Sequence, residues 1–239
     1  MQERYRRQTG LREIGEEGQA RLLSSRVTVV GAGGLGSAVL YYLAAAGVAY
    51  IKIIDSDVVD ISNLNRQFLY TEADTGREKS KTASEKILLY NHETDVSACT
   101  AALTAENAET HIPACDAVVA CVDNKKTRLV LNDYCISRKI PLVDGGVSGF
   151  EGYVLSILPG ETACFRCIFP AVKESPETQG VLGAAAGVIG SLMALETIKT
   201  LLKVEIDCHL HYVDLLTLRV LPVKARKNPD CPACSRIRL

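Results

Sequence analysis

Over the first 150 residues, short β-branched and aliphatic runs alternate with stretches whose apolar positions recur at helical spacing. RVTVVG at 26–31 is bounded by polar residues and reads as a buried strand. Small apolar residues over 35–46 predict a helix packed close to a sheet, and YIKIID at 50–55 a second strand. A long polar connection, 56–75, leads to residues 79–91, where Ala83, Ile87 and Tyr90 fall at helical spacing. DVSACT at 95–100 alternates as a strand, and a short helix is expected near 105–111. DAVVACVD at 116–123 is the most apolar strand, followed by a helix over 127–138 and a fifth strand, IPLVDGG, at 140–146. Alternation of this kind implies a Rossmann-like, doubly wound α/β fold with a largely parallel sheet. Ligands of such sheets bind outside the carboxyl ends of the strands.

After Gly149 the pattern changes. Residues 152–159, 209–216 and 217–224 read as consecutive strands, the last two nearly a hairpin, with a Gly/Ala-rich helix at about 184–202 between the first and second. The sheet is therefore expected to continue with antiparallel C-terminal strands. No repeat, low-complexity tract or linker divides the chain, so residues 1–239 are expected to form a single domain.

A net charge of −1 gives no reason to expect nucleic acid or an anionic membrane as partner. The N-terminal MQERYRRQTGLREIGEEGQ is too charged for a signal peptide, and no apolar run approaches the roughly 18–20 charge-free residues of a spanning helix. A cytoplasmic protein is expected. Of nine cysteines, Cys99, Cys115, Cys121 and Cys135 lie singly in apolar or amphipathic segments and read as small buried hydrophobes, as does Cys208. The odd total argues against a disulfide framework.

GAGGLG closes the first strand and opens the first helix of that pattern. Gly31 permits the tight turn, Gly33 and Gly34 lie where backbone approaches phosphate, and Gly36 lets helix and strand pack closely. Helix N–H groups then face the anion. Asp55, 19 residues after Gly36, ends the second strand, where a carboxylate accepts from ribose hydroxyls. These features imply an adenosine nucleotide without saying which one.

The connection after Asp55 adds Asp57, Asn63, Asn65, Arg66 and Gln67, and the following helix opens with Lys79. A planar guanidinium and a point charge suit a triphosphate, and a hydride-transferring enzyme has no obvious use for them. Asp123 offers a hard oxygen ligand for Mg²⁺ on the same side, or else an N-cap for the helix after it. Two knuckles, Cys164-Phe-Arg-Cys167 and Cys231-Pro-Ala-Cys234, supply the four thiolates of a closed structural Zn²⁺ site.

Taken together, RYRRQ at 4–8, GAGGLG, DSDVVDISNLNRQ, GREK at 76–79, VDN, GVIGSLMALETIK at 187–199 and both CxxC pairs resemble the MoeB/ThiF/HesA family, bacterial relatives of ubiquitin-activating enzymes. The resemblance covers almost the whole chain. It implies adenylylation, with MgATP and release of pyrophosphate, of the C-terminal Gly-Gly carboxylate of a small ubiquitin-like sulfur-carrier protein in cofactor biosynthesis of the molybdopterin or thiamine type. It implies further that Asp55 binds ribose, that Asn63, Arg66 and Lys79 hold phosphates, and that Asp123 serves Mg²⁺. Arg7 matches the arginine that reaches the γ-phosphate from the neighbouring subunit, so a homodimer is implied. The segment 171–187, where many relatives carry a cysteine, has none, which points to an enzyme that stops at the acyl-adenylate and leaves sulfur transfer to a separate sulfurtransferase. A tRNA-modifying cyclase-dehydratase relative, a NAD-dependent dehydrogenase and a non-catalytic nucleotide-binding scaffold are the competing readings.

Overall fold

The computed structural model describes residues 3–170, 180–204, 206–207 and 209–236. Two short N-terminal helices, α1 (Arg6–Thr9) and α2 (Gly15–Leu22), precede the first strand. Their charge-rich sequence gave no apolar stripe to announce them. The alternating part then runs β1 (Arg26–Val30), α3 (Gly34–Ala46), β2 (Tyr50–Ile54), α4 (Lys79–Tyr90), β3 (Asp95–Cys99), α5 (Ala108–His111), β4 (Ala117–Ala120), α6 (Lys125–Arg138) and β5 (Leu142–Ser148). It continues with β6 (Glu151–Ile157), the short α7 (Phe165–Ile168), α8 (Gly183–Leu202), β7 (Leu210–Asp214) and β8 (Arg219–Val223).

Among the described residues the strands form one sheet in the order β3-β2-β1-β4-β5-β6-β7-β8. Pairing is parallel from β3 through β5 and antiparallel from β5 through β8. Strand order reverses at β1, so a crevice opens between the carboxyl ends of β1 and β4, where a doubly wound sheet takes its ligand.

Strand alternation splits the core in two. Val27, Val29, Ile51, Ile53 and Val119 join α2, α3, α4 and α8 on one face, while Val118, Ala120, Leu142 and Leu155 join α5, α6 and α7 on the other. The tightest helix crossing is α3 on α8. A Cβ at Gly190 would lie 2.6 Å from the Leu35 carbonyl oxygen and 2.9 Å from Ala38 Cβ. The length of α8, 20 residues, and its mean hydropathy of 1.4 would let it cross a membrane, and its bounds lie within a residue of those its sequence pattern announced. Here it is a core helix, with Ile189, Met193 and Ala194 fully buried.

Three expectations change. The fourth strand ends at Ala120, not at Asp123, because Cys121–Asn124 turn out of the sheet to start α6. Tyr90 is 45% exposed and stands edge-to-face on Tyr41, so the buried stripe of α4 is carried by Ala83 and Ile87. Cys121 and Cys135 are buried as expected, whereas Cys99 and Cys115 are only half-buried. Cys208 and residues 171–179 lie outside the described residues.

Candidate functional site: a nucleotide crevice and a four-thiol knuckle

The glycine loop is folded tightly on itself. Gly31 has φ +95°, and a Cβ there would stand 2.5 Å from the Cys121 carbonyl oxygen, so only glycine fits between the tips of β1 and β4. A Cβ at Gly36 would lie 2.2 Å from the Gly31 carbonyl oxygen. Gly33 is different. A Cβ there would meet only the Gln67 amide, at 3.5 Å, so its bareness leaves room for something outside the loop. Gly34 is close to Ala186 of α8 and to Arg66, which brings the NLNRQ segment over the start of α3. No side chain caps α3 and its first turn carries no acid, so its leading N–H groups are available to an anion.

Asp55 sits beside this loop. One carboxylate oxygen accepts from Ala32 N–H at 2.7 Å and the other from Asp57 N–H at 2.8 Å. Burial pushes its carboxyl above the usual range, while those two amides and the charge of Lys79 pull it back. Lys79 is 5% exposed and donates to Asp57 Oδ2 at 3.1 Å. An ammonium has three donors. The one carboxylate it pairs with directly is itself largely exposed.

Arg66 donates to the Ser62 carbonyl at 3.1 Å and to Asn65 Oδ1 at 3.0 Å, and no carboxylate pairs with it among the described residues. Asn63 donates to Ser62 Oγ at 3.3 Å and is half-buried. This turn is clamped from above, since a Cβ at Gly183, the first residue of α8, would lie 2.2 Å from the Asn65 carbonyl oxygen. Gln67 is 4% exposed, and its Oε1 is buried without a hydrogen-bond partner. A buried orphan acceptor beside a glycine loop marks a place where a donor is missing.

Asp123 follows Cys121, whose carbonyl faces Gly31, by two residues. The N-cap of α6 is Asn124, whose Oδ1 accepts from Thr127 N–H at 2.8 Å. The capping alternative for Asp123 therefore falls away. Its carboxylate is exposed and unpaired among the described residues, the kind of hard donor that Mg²⁺ takes together with phosphate oxygens and water.

Arg7 is the one expected site residue that stands apart. Its neighbour Gln8 donates to the Ala46 carbonyl at 2.8 Å, at the far end of the 13-residue α3. That end lies about 20 Å along the helix from the glycine loop. The Arg7 side chain is exposed.

Two supports escaped the sequence reading. Tyr70 Oη donates to the Ala32 carbonyl at 2.8 Å and to the Lys79 carbonyl at 3.3 Å, tying the loop to the start of α4. Buried Arg128 of α6 and Asp144 of β5 form a polar triad with half-buried Tyr153 of β6 behind the Asp123 loop. A carboxylate in the apolar run PLVDGG was the available signal for the second.

The two CxxC knuckles come together on the α6 side of the sheet. Cys164 Sγ lies 3.7 Å from Cys167 Sγ and 3.6 Å from Cys231 Sγ, and Cys167 Sγ lies 3.8 Å from Cys234 Sγ. A tetrahedron of Zn–S bonds has S···S edges of about 3.8 Å. All four sulfurs lie within 4.8 Å of one another. Burial pushes the Cys164 thiol up, and that of Cys234 up to about 11, while at Cys231 burial is outweighed by the Cys234 and Ala233 amides, which bring the thiol down; a bound cation would let thiolates share this space. The donor set fits a closed zinc site.

Comparison with known proteins shows the family and the fold. The ThiF family model matches residues 5–233. The sequence is 40% identical to the SAMP-activating enzyme E1 of Haloferax volcanii, covering 97% of this chain and 88% of that one. It is 41% identical to the sulfur carrier protein adenylyltransferase of Thermus thermophilus, covering 97% and 90%, and 36% identical to the sulfur carrier protein ThiS adenylyltransferase of Escherichia coli, covering 97% and 94%. Among solved structures, E. coli MccB with MccA-N7isoASN superposes with a TM-score of 0.88 at 22% identity, over 98% of this chain and 75% of that one, a likeness of fold. With the family model matched over residues 5–233, from the first helices through the whole sheet to the second knuckle, the chain belongs to the ThiF family.

Proposed function

We propose that this chain adenylylates the C-terminal Gly-Gly carboxylate of a small ubiquitin-like sulfur-carrier protein, with MgATP as donor and pyrophosphate as product. The pair of cations at the glycine loop carries this reading: Lys79, buried and only partly answered, and Arg66, which no carboxylate claims among the described residues. The sulfur-carrier adenylyltransferases to which the chain is similar support the substrate class. A carboxylate is already nucleophilic at neutral pH, so no general base is needed. Its oxygen attacks the α-phosphorus, the bond to the bridging β-oxygen breaks, and pyrophosphate leaves. Catalysis then reduces to alignment and to neutralising charge that builds on the phosphates.

In this reading Asp55 holds ribose, with Asp57 orienting Lys79 beside it. Gly31, Gly33, Gly34 and Gly36 leave the start of α3 open to phosphate, and Asn63, Arg66, Gln67 and Lys79 surround the remaining oxygens. Mg²⁺, when bound, shields the triphosphate, and Asp123 would hold it. The Cys164–Cys167–Cys231–Cys234 cluster would hold zinc as a structural tie. Arg7 lies a helix length from its own crevice, which supports a homodimer in which it serves the partner's site. Residues 1–239 act here as one domain in the cytoplasm, and a separate sulfurtransferase completes sulfur transfer. Exchange of labelled pyrophosphate into ATP that depends on a Gly-Gly-terminated carrier is the expected result. No exchange with any such carrier from the source genome would overturn the reading.

A further inference from the structure

We propose that Arg128, Asp144 and Tyr153 are positioning residues that fix the direction in which Asp123 faces the crevice; this rests on Asp123 being the cation ligand. Arg128 and Asp144 are 7% and 1% exposed. The guanidinium reaches three separate segments. Nη2 donates to the Val122 carbonyl at 2.5 Å, and Nη1 donates to Tyr153 Oη at 3.1 Å and pairs with Asp144 Oδ1. Tyr153 Oη in turn donates to Asp144 Oδ2 at 2.7 Å.

The bond to Val122 is the informative one. That carbonyl belongs to the peptide unit that enters Asp123, and a peptide unit is planar, so holding its oxygen fixes the orientation of the Asp123 amide. On the other side, the Asn124 cap fixes the chain leaving Asp123. Asp123 is thus held at both flanks while its own carboxylate stays exposed and unpaired among the described residues. A buried ion pair gives little net stability over apolar residues of the same size. Bridging β5 and β6 to the loop after β4 is a geometric task that apolar side chains cannot perform. Space for it is built in: a Cβ at Gly146 would lie 2.5 Å from Tyr153 Cε1.

Lysine at 128 would keep the charge beside Asp144 but lose the fork that also grips Val122. Full-length Arg128→Lys, Tyr153→Phe and Asp123→Asn, each checked by melting, are titrated calorimetrically with ATP in Mg²⁺ and in EDTA. For Arg128→Lys, affinity in EDTA stays within about twofold of wild type while affinity in Mg²⁺ falls about tenfold or more, the scale of outer-shell effects on metal sites. Tyr153→Phe keeps the ring and shifts in the same direction by less, and it decides the matter if Arg128→Lys does not fold. Wild-type Mg²⁺ affinity in both variants, or equal weakening in Mg²⁺ and EDTA, overturns the positioning role. If Asp123→Asn retains the Mg²⁺-dependent gain, the reading of Asp123 itself fails. If Asp123→Asn loses it while the other two keep it, only the positioning proposal fails.

Discussion

Burying a lysine costs several kcal/mol unless its charge is answered, and the ion pair that Lys79 makes is with the largely exposed Asp57, Asp55 acting on it only through its charge. Such a cost is tolerable where a polyanion arrives to meet the charge. Lys79→Met, which keeps the stem and removes the ammonium, should therefore separate function from folding. Pyrophosphate exchange should fall by about 10²-fold or more, while the melting temperature is unchanged or higher. A variant that loses stability and activity together would make Lys79 a structural residue. Lys79 was legible in the sequence because it stands at a fixed place after a glycine loop and an acidic strand end. Gly31 and Gly36 were legible for the same local reason. Tyr70 was not, because its hydroxyl reaches the Ala32 carbonyl 38 residues back in the chain. The triad was hidden likewise, with Arg128 joined to Asp144 and Tyr153 from 16 and 25 residues away.

At the scale of elements, the polar connection before α4 is held by charge. Asp74 is the hub: Lys86 donates to it at 2.7 Å, Arg77 at 3.2 Å, and the Thr71 amide at 2.8 Å. Burial works to raise its carboxyl, but Lys86 and Thr71 together hold it at about 2. A folded pKa below the unfolded value of about 3.9 contributes stability at neutral pH and loses it as pH falls through the window from about 4 to about 2. The melting-temperature gap between wild type and Asp74→Asn should accordingly be present at neutral pH and shrink across that window. A gap that stays constant with pH would remove charge from the explanation. The four-thiol cluster is a second tie between elements, docked on α6 through its first knuckle. Asn132 of α6 accepts from the Phe165 amide at 2.9 Å, and Arg166 grips Asp133 at 2.6 and 2.7 Å. Metal analysis should find about one zinc per chain. Cys231→Ser should lose it, at a cost of roughly 3 kcal/mol or more in unfolding free energy. A metal-free wild type of undiminished stability would leave the knuckle a thiol cluster only. Spacing alone brought out these four cysteines, since two CxxC pairs share one chemistry. Their docking on α6 came only with the tertiary fold.

For the whole molecule, the position of Arg7 has the largest consequence. The RYRRQ segment is anchored at the C-terminal end of α3 by Gln8 and by buried Tyr5, whose hydroxyl donates to Glu93 at 3.0 Å. The crevice lies at the other end of that helix, so within one chain Arg7 and Lys79 do not meet at a common phosphate. A two-fold dimer turns this separation into a reach, because a symmetric partner can present its first helix to the neighbouring crevice. Mixing two inactive variants tests the arrangement. In a dimer of Arg7→Ala with Lys79→Met, one crevice keeps Lys79 and receives Arg7 from the other chain, and the second crevice lacks both. Random exchange of equal amounts makes half the dimers mixed, with one working site of two, so exchange activity should recover to about a quarter of wild type. Each variant alone should stay near background, and the recovery should follow the rate of subunit exchange. If Arg7 acted within its own chain, no crevice in the mixture would hold both groups and nothing would recover. Sedimentation at the assay concentration supplies the remaining condition: a monomer that retains full carrier-dependent exchange would place Arg7 outside the chemistry altogether.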